Sequence, residues 1–302
     1  MVQAFLYEEF TVYLVTRNTS ERRMFLVPSQ ELRDAILYCI ADAQTRYPVQ
    51  IHAFTAMSNH LHIVFTDIDG IAPLFIQAMN QNIAHFVNYL LKRLGTMWEG
   101  GKRPNYCVLP KSGDMLDKVV YTLCNPVKAG LVKEHHLWPG AISTVAQITK
   151  GRILTTRPKK FFSKTTDPQL LKRELILTPI PGAGVLSPEE YGQLLADRVK
   201  EEETRIAQER EAAGLPWMGR KRCKAMNPFG SPEKPWKPFT RRPTVSSKSD
   251  EARNYRILRL KRFRDLHAAA KKEFREGNRD VPFPAGTFYL RVYFKVPIEP
   301  FD

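Results

Sequence analysis

Cysteine is scarce in this chain of 302 residues. There are four, Cys39, Cys107, Cys124 and Cys223, set far apart with no CxxC pair and no zinc spacing. This excludes a disulfide-stapled fold and points to reduced thiols in a cytoplasmic protein. Long apolar runs are missing too: none approaches the roughly 18 residues that a membrane helix needs. The N-terminus carries Glu8 and Glu9 and no basic stretch before an apolar core, so no secretory signal is expected. Acidic charge is in deficit, with 31 Asp and Glu against 46 Lys and Arg and a formal net charge of +15. No internal repeat is present. Hydrophobic residues at 43% and charged residues at 25% give a globular balance, with chain enough for one large domain or two smaller ones.

The basic excess is uneven. Residues 1–150 hold 14 basic and 12 acidic residues, whereas 151–302 hold 32 and 19. Proline follows the same split, 7 before residue 151 and 15 after. A nearly neutral first half and a basic, Pro-rich second half suggest a catalytic unit over 1–140 and a DNA-binding extension over 151–302. Positive charge favours phosphate backbones as partners, and a merely solvated tail is the plainer reading.

Strand and helix signals alternate in the first half. Phe10–Thr16 is β-branched and aromatic and reads as a strand. Ser29 is placed to cap a helix with apolar positions at Leu32, Ala35, Ile36, Cys39, Ile40 and Ala43. Val49–Met57 and His60–Thr66 read as two strands around a Ser58-Asn59 turn. Leu74–Leu94 reads as a helix ended by Gly95, and a strand lies within Met97–Leu109. Asp114 is placed to cap a helix reaching Cys124. The order β-α-β-β-α-β predicts an α+β fold, a ferredoxin-like or RRM-like antiparallel sheet with helices on one face. A basic, mixed helical extension follows. In it, Ser187 to Glu190 forms a capping box, Pro216–Ser249 reads as a linker or arm, Asp250 opens a basic helix ending near Gly277, and Thr287–Val296 alternates like a strand.

Two features carry chemistry. In His60-Leu61-His62 the histidines stand at i and i+2 of a strand and so project from one face, expected to be the open face of the sheet, away from Leu61, Ile63 and Phe65, which are expected to pack under the helices. Such a pair can share a metal ion, or it can be two ordinary polar sheet residues. In the later helix the apolar stripe is Leu116, Val119, Val120 and Leu123. At 100° per residue Tyr121 and Asn125 fall on the opposite, polar side, one turn apart. A phenol and an amide there can serve as nucleophile and metal ligand, or as surface polar groups. His52 and His85 read as structural and His135-His136 as a surface pair. Trp98 is a candidate base-stacking or core residue. Lys102, Arg103, Arg220, Lys221, Arg222, Arg241 and Arg242 are candidate phosphate contacts.

Three segments, AFTAMSNHLHIVFTD (53–67), GTMWEG (95–100) and YTLCNPVKAGLV (121–132), resemble the REP-associated tyrosine transposases of the single-tyrosine HUH superfamily. The resemblance covers about residues 8–140, and PAGTFYLR (284–291) is similar to C-terminal stretches of longer members. It implies His60, His62 and Asn125 as ligands of Mg²⁺ or Mn²⁺ and Tyr121 as the nucleophile. It further implies cleavage and rejoining of single-stranded DNA with hairpin or palindromic repeats through a 5′-phosphotyrosine. A non-catalytic nucleic-acid-binding module on the same sheet and a metallohydrolase with a water nucleophile are the competing expectations. Monomer and homodimer are both left open.

Overall fold

The computed structural model describes residues 3–100, 103–159, 167–232 and 243–301. Its first half runs β1 (Thr11–Asn18), α1 (Gln30–Arg46), β2 (Val49–Met57), β3 (His60–Asp67), α2 (Ala72–Leu90) and β4 (Asn105–Val108). The four strands form one sheet in the order β2-β3-β1-β4 with every neighbouring pair antiparallel. This is the ferredoxin-like arrangement expected from the element order. Ser29 caps α1 as expected, its hydroxyl accepting from the Leu32 N–H at 3.1 Å.

Strand parity sorts the two faces. Tyr13, Phe65 and Phe75 of α2 pack ring to ring on one face, at 6.1 and 5.2 Å between centroids. The other face carries Thr16 and His62, which are direct cross-strand partners. Helix α3 (Ser112–Leu123) crosses this second face, and the Thr55 hydroxyl donates to the Thr122 carbonyl at 2.7 Å. The histidine face, expected to be open, is instead met by a helix, leaving His62 only 5% exposed.

Strand β2 changes phase at a one-residue bulge, because Ile51 faces Phe65 while Ala53 faces Val64. His52 is the extra residue. Its fully buried ring is held between the Thr178 carbonyl at 2.9 Å and the Thr66 hydroxyl at 2.8 Å. Burial pushes its pKa down to about 4, so the folded protein keeps the ring neutral while the unfolded chain protonates it near 6.5. The folded-state value is the lower one, so its stabilising contribution is complete above pH 6.5 and fades as pH falls toward 4. The loss is up to about 3 kcal/mol. Thermal melting across that window should show a pH-dependent component in wild type that is absent from His52→Gln. Equal pH slopes for the two proteins would refute this.

The second half contains α4 (Asn125–Lys128), α5 (Val145–Lys150), β5 (Arg152–Thr156), α6 (Pro168–Leu171), β6 (Lys172–Ile176), α7 (Pro188–Ala212), α8 (Arg220–Lys224), α9 (Asp250–Arg275), β7 (Phe283–Pro284), α10 (Tyr289–Phe294) and β8 (Ile298–Glu299). The capping box at Ser187 and Glu190 forms as expected. The extension is not set apart from the first half. One buried cluster runs through both and includes Leu175, Tyr191, Leu195, Val199, Cys223 and Val245. Segments of the chain also lie along the sheet's outer strands. On β2, Ala56 N–H reaches the Ala141 carbonyl at 2.8 Å and Thr178 N–H reaches that of Ile51 at 2.8 Å. On β4, Val108 N–H reaches Thr244 and Ser246 N–H reaches Val108, both at 2.9 Å.

Several expectations need correction. Thr287–Val296 is not a strand: α10 occupies Tyr289–Phe294, and Lys295 closes it in a left-handed turn. Alternating aromatics suit either state, and the sheet offers no vacant place to dock a strand at these edge positions. Helix α2 stops at Leu90 and not Leu94, because Lys92 takes a φ of 49° and Arg93 N–H turns back to the Asn88 carbonyl. Asp114 caps nothing. Its carboxylate accepts from Ser247 Oγ at 2.6 Å and from Lys248 N–H at 2.9 Å, tying down the approach to α9. Ser249, not Asp250, caps α9. The stretch 216–249 is no featureless arm, since α8 lies within it and Cys223 is fully buried. All four cysteines are free and buried. His135 is a buried residue, not a surface one, and Glu203 Oε1 accepts from its backbone N–H at 2.6 Å and lies 2.9 Å from its ring Nδ1. Among the described residues no helix is long and apolar enough to cross a membrane.

Candidate active site

The site is assembled from the start of β3 and the end of α3. The Ser58-Asn59 turn delivers His60 and His62 to one face, with ring centroids 4.7 Å apart and planes at 81°. Each ring is fixed through Nδ1. The Asn59 side-chain oxygen accepts from His60 Nδ1 at 2.7 Å, and the Thr16 hydroxyl pairs with His62 Nδ1 at 2.9 Å. The Asn59 oxygen at Nδ1 leaves the lone pair of neutral His60 on Nε2, and His62 takes the same tautomer when the Thr16 hydroxyl accepts.

Tyr121 sits half-buried on α3, its ring 5.5 Å from that of His62. Asn125 opens α4 one turn later and is buried. It lies near enough to the His60 ring and the Tyr121 phenol to favour the charged form of each. The four residues that the sequence singled out for chemistry therefore meet.

Electrostatics suit the group to cation and phosphate chemistry. Burial, helped by the Arg22 charge and opposed by Asn125, pushes His60 down to about 4. Burial and the neighbouring His60 hold His62 well below its usual value. Both imidazoles are neutral at pH 7 and can donate lone pairs. Burial raises the Tyr121 phenol, while Asn125 pulls it the other way. Among the described residues no group of three or more His, Cys, Asp or Glu could hold a metal ion. Two imidazoles and one amide are nonetheless a chemically reasonable partial shell for a divalent ion. The imidazoles favour Mn²⁺ over the harder Mg²⁺, and positions remain open for phosphate oxygens.

The site also holds cations to which sequence reading gave no role. Lys118 and Lys128 each place their ammonium 5.5 Å from the Tyr121 ring centre. They lie three residues before and seven after the tyrosine, so helical phase alone could have flagged them. Arg22 had no such signal. It enters through a short turn, Ser20–Arg22, in which Glu21 and Arg22 both take a positive φ of 53° and 57°. Thr19 anchors that turn, its hydroxyl donating to the Arg23 carbonyl at 2.6 Å and to the Asn59 carbonyl at 2.9 Å. The same turn pair thus carries Arg22 and the two histidines, at a backbone cost of about 1–3 kcal/mol per left-handed residue.

The weaker candidates fare differently. Trp98 is a core residue, 7% exposed, with its indole N–H on the Asn80 carbonyl at 2.8 Å, so it offers no face to a base. Arg103 lies over the Phe5 ring at 4.3 Å and hydrogen-bonds Tyr7. Arg220, Lys221 and Arg222 are exposed on α8. The segment leading into it is pinned behind α4 by the Met218 and Gly219 N–H groups on the Gly130 and Leu131 carbonyls. Lys102, Arg241 and Arg242 lie outside the described residues.

No family model matches the chain, and no curated protein matches it. Among solved structures it is similar to a REP-associated tyrosine transposase bound to a REP hairpin. The identity is 21%, covering 57% of this chain and 98% of that one, with a TM-score of 0.41. It is also similar to a "putative transposase" from Deinococcus radiodurans R1, at 19% identity, 41% and 97% coverage and a TM-score of 0.29. Similarity at this level transfers no function to this chain.

Proposed function

We propose that this protein is a metal-dependent single-tyrosine transposase that cuts and rejoins single-stranded DNA at hairpin or palindromic ends. The observation that carries the reading is the convergence of the three rings, His60 4.7 Å from His62 and His62 5.5 Å from Tyr121, with Asn125 one helical turn after the tyrosine. A water-based hydrolase has no use for a phenol held in that position, and a simple binding surface has no use for two neutral imidazoles fixed through Nδ1.

In the proposed reaction the Tyr121 oxygen attacks phosphorus. The bond from phosphorus to the 3′ oxygen breaks, the 3′ oxygen takes up a proton and the phenol gives one up. One phosphoester replaces another, so an incoming 3′-OH can reverse the step without a nucleotide cofactor. Mg²⁺ or Mn²⁺, held by His60, His62 and Asn125, would polarise the phosphate as a Lewis acid. Thr16 and Asn59 keep the imidazoles aimed. Lys118 and Lys128 offset negative charge beside the phenol, which burial otherwise makes reluctant to ionise. Arg22, beside His60, offers a further cation to a phosphate oxygen. Arg220, Lys221 and Arg222 on α8 would contact the backbone of a hairpin stem.

The test is a hairpin oligonucleotide with a single-stranded flank, labelled on the 3′ side of the cut and incubated with Mg²⁺ or Mn²⁺. A labelled adduct that survives denaturant is expected. Tight binding without cleavage would replace the proposal with a binding module, and cleavage without an adduct would replace it with a water nucleophile. Within this scheme Asn125→Ala should cost activity roughly 10- to 100-fold, less than loss of either histidine, because water can take the place of a neutral amide ligand. Single-turnover rates of the three variants side by side check the ranking.

A further inference from the structure

We propose that the cleft between α9, α10 and the N-terminal segment is a stacking site for unpaired bases of single-stranded DNA. It shares no residue with the Tyr121 site. The choice of DNA rests on the function proposed above; the cleft itself rests on the following geometry.

Helix α10 leaves three large rings on the surface: Tyr289 is 61% exposed, Tyr293 52% and Phe294 54%. They are not scattered. Tyr289 lies 5.0 Å from Tyr293 and 5.8 Å from Phe294, and Phe294 lies 6.1 Å from Phe274 of α9, so the rings form one wall. Tyr289, Phe294 and Phe274 line a cleft of about 770 Å³, in the upper part of the ~300–1,000 Å³ range of ligand clefts and large enough for one or two bases.

The charged residues of the lining are all cationic, set among neutral ones such as Phe5, Phe263 and His267. Arg264, Lys271 and Arg275 border the cleft, and no carboxylate lines it among the described residues. Lys271 and Arg275 have no carboxylate partner among the described residues. Arg279, outside the cleft lining, lies 4.4 Å over the Phe274 ring and adds to the positive charge nearby. Residues 250–279 carry ten basic and five acidic side chains.

Charge decides the occupant. A second copy of the chain would bring a net +15 toward a basic rim. An apolar peptide would use the rings and leave the cations unpaired. Duplex DNA would use the cations but hides its base faces. Single-stranded DNA presents phosphates and unstacked bases together, and base–aromatic stacking tolerates any sequence.

The experiment uses the full chain without divalent ions, so that no cleavage occurs. Fluorescence anisotropy compares a labelled oligothymidine of about 12 nucleotides with a duplex of similar length. The variant Tyr289→Ala/Phe294→Ala removes exposed rings and should leave the melting temperature unchanged. Its affinity for the single strand should fall about 10-fold or more, at about 1–3 kcal/mol per stacked base, with duplex affinity unchanged. Lys271→Gln/Arg275→Gln should instead weaken both ligands and lower the salt slope by about one or two. A 5-iodouracil oligonucleotide should photo-crosslink to Tyr289 or Phe294 in wild type. Unchanged single-strand affinity, an equal loss for duplex, or loss of self-association alone would each overturn the proposal. Absence of the covalent adduct in wild type would remove the chemistry proposed for Tyr121 and leave these binding results standing.

Discussion

Tyr121→Phe is expected to abolish the covalent protein–DNA adduct while leaving the fold and oligonucleotide affinity intact. The substitution removes one oxygen. That oxygen belongs to a half-buried side chain, and Asn125 beside it stays next to His60. The ring contact with His62 and the ammoniums of Lys118 and Lys128 depend on the aromatic ring, which remains. The stability cost should therefore stay near 1 kcal/mol. The chemical cost has no such cushion. Among the described side chains placed around Tyr121 here, His60, His62, Asn125, Lys118 and Lys128, none is a cysteine, serine or second tyrosine, and losing a nucleophile costs at least about 10⁴-fold in comparable covalent enzymes. Denaturing gels with labelled oligonucleotide read the result directly. An adduct retained above about one part in 10³ would show that another residue attacks phosphorus.

His60→Ala and His62→Ala should each lower cleavage by about 10³-fold, but they should differ in stability. His60 is half-buried, and its Nδ1 partner Asn59 stands in an accessible turn. His62 is buried and holds the Thr16 hydroxyl across the strands. Its removal leaves a cavity and an unpaired hydroxyl, so His62→Ala should lose about 2–4 kcal/mol, clearly more than His60→Ala. Mn²⁺ titration by calorimetry, alongside chemical denaturation, separates the two effects. If either variant bound Mn²⁺ and cleaved DNA like wild type, the histidine pair would have no part in the chemistry.

The central fold was open to sequence reading because its signals are local. Period-two alternation in His60–Thr66 put both histidines on one face, and the 100° step along Leu116–Asn125 put Tyr121 away from the core stripe. What escaped depends on long-range partners. The bulge at His52 follows from contacts to Thr66 and Thr178 that no window of local sequence contains. Without it Thr55 would not face His62 and could not hold the Thr122 carbonyl, so the setting of Tyr121 over the histidines depends on it. Arg22 was hidden for a similar reason, since two left-handed non-glycine residues in a row run against local preference. Asp114 looked like a helix cap because acids near helix starts usually are. A chain segment more than a hundred residues later takes both of its oxygens.

The extension is legible only in part for the same reason. Its charge and proline content suggested an appendage, but composition does not reveal docking. Glu8 receives Arg256 and Arg259 of α9 at 2.6 and 2.9 Å, and Arg198 of α7 reaches Asp117 on α3 at 3.1 Å. Basic residues of α7 and α9 thus serve in part as internal fasteners. Point substitution, not truncation, is the fitting way to probe this region.

The segments lying along β2 and β4 bear on how the molecule meets its own kind. An outer strand with free N–H and carbonyl groups is a template on which another chain can add a strand, the route to swapped dimers and fibrils. At Ile51, Phe54 and Ala56 on one side and Val108 on the other, those groups already have partners from the same polypeptide. Self-association at these positions would first require peeling away residues 141–143, 178 or 244–246. A dimer that left those segments in place would have to be made from helix faces and side chains, with this sheet remaining four strands wide in every copy.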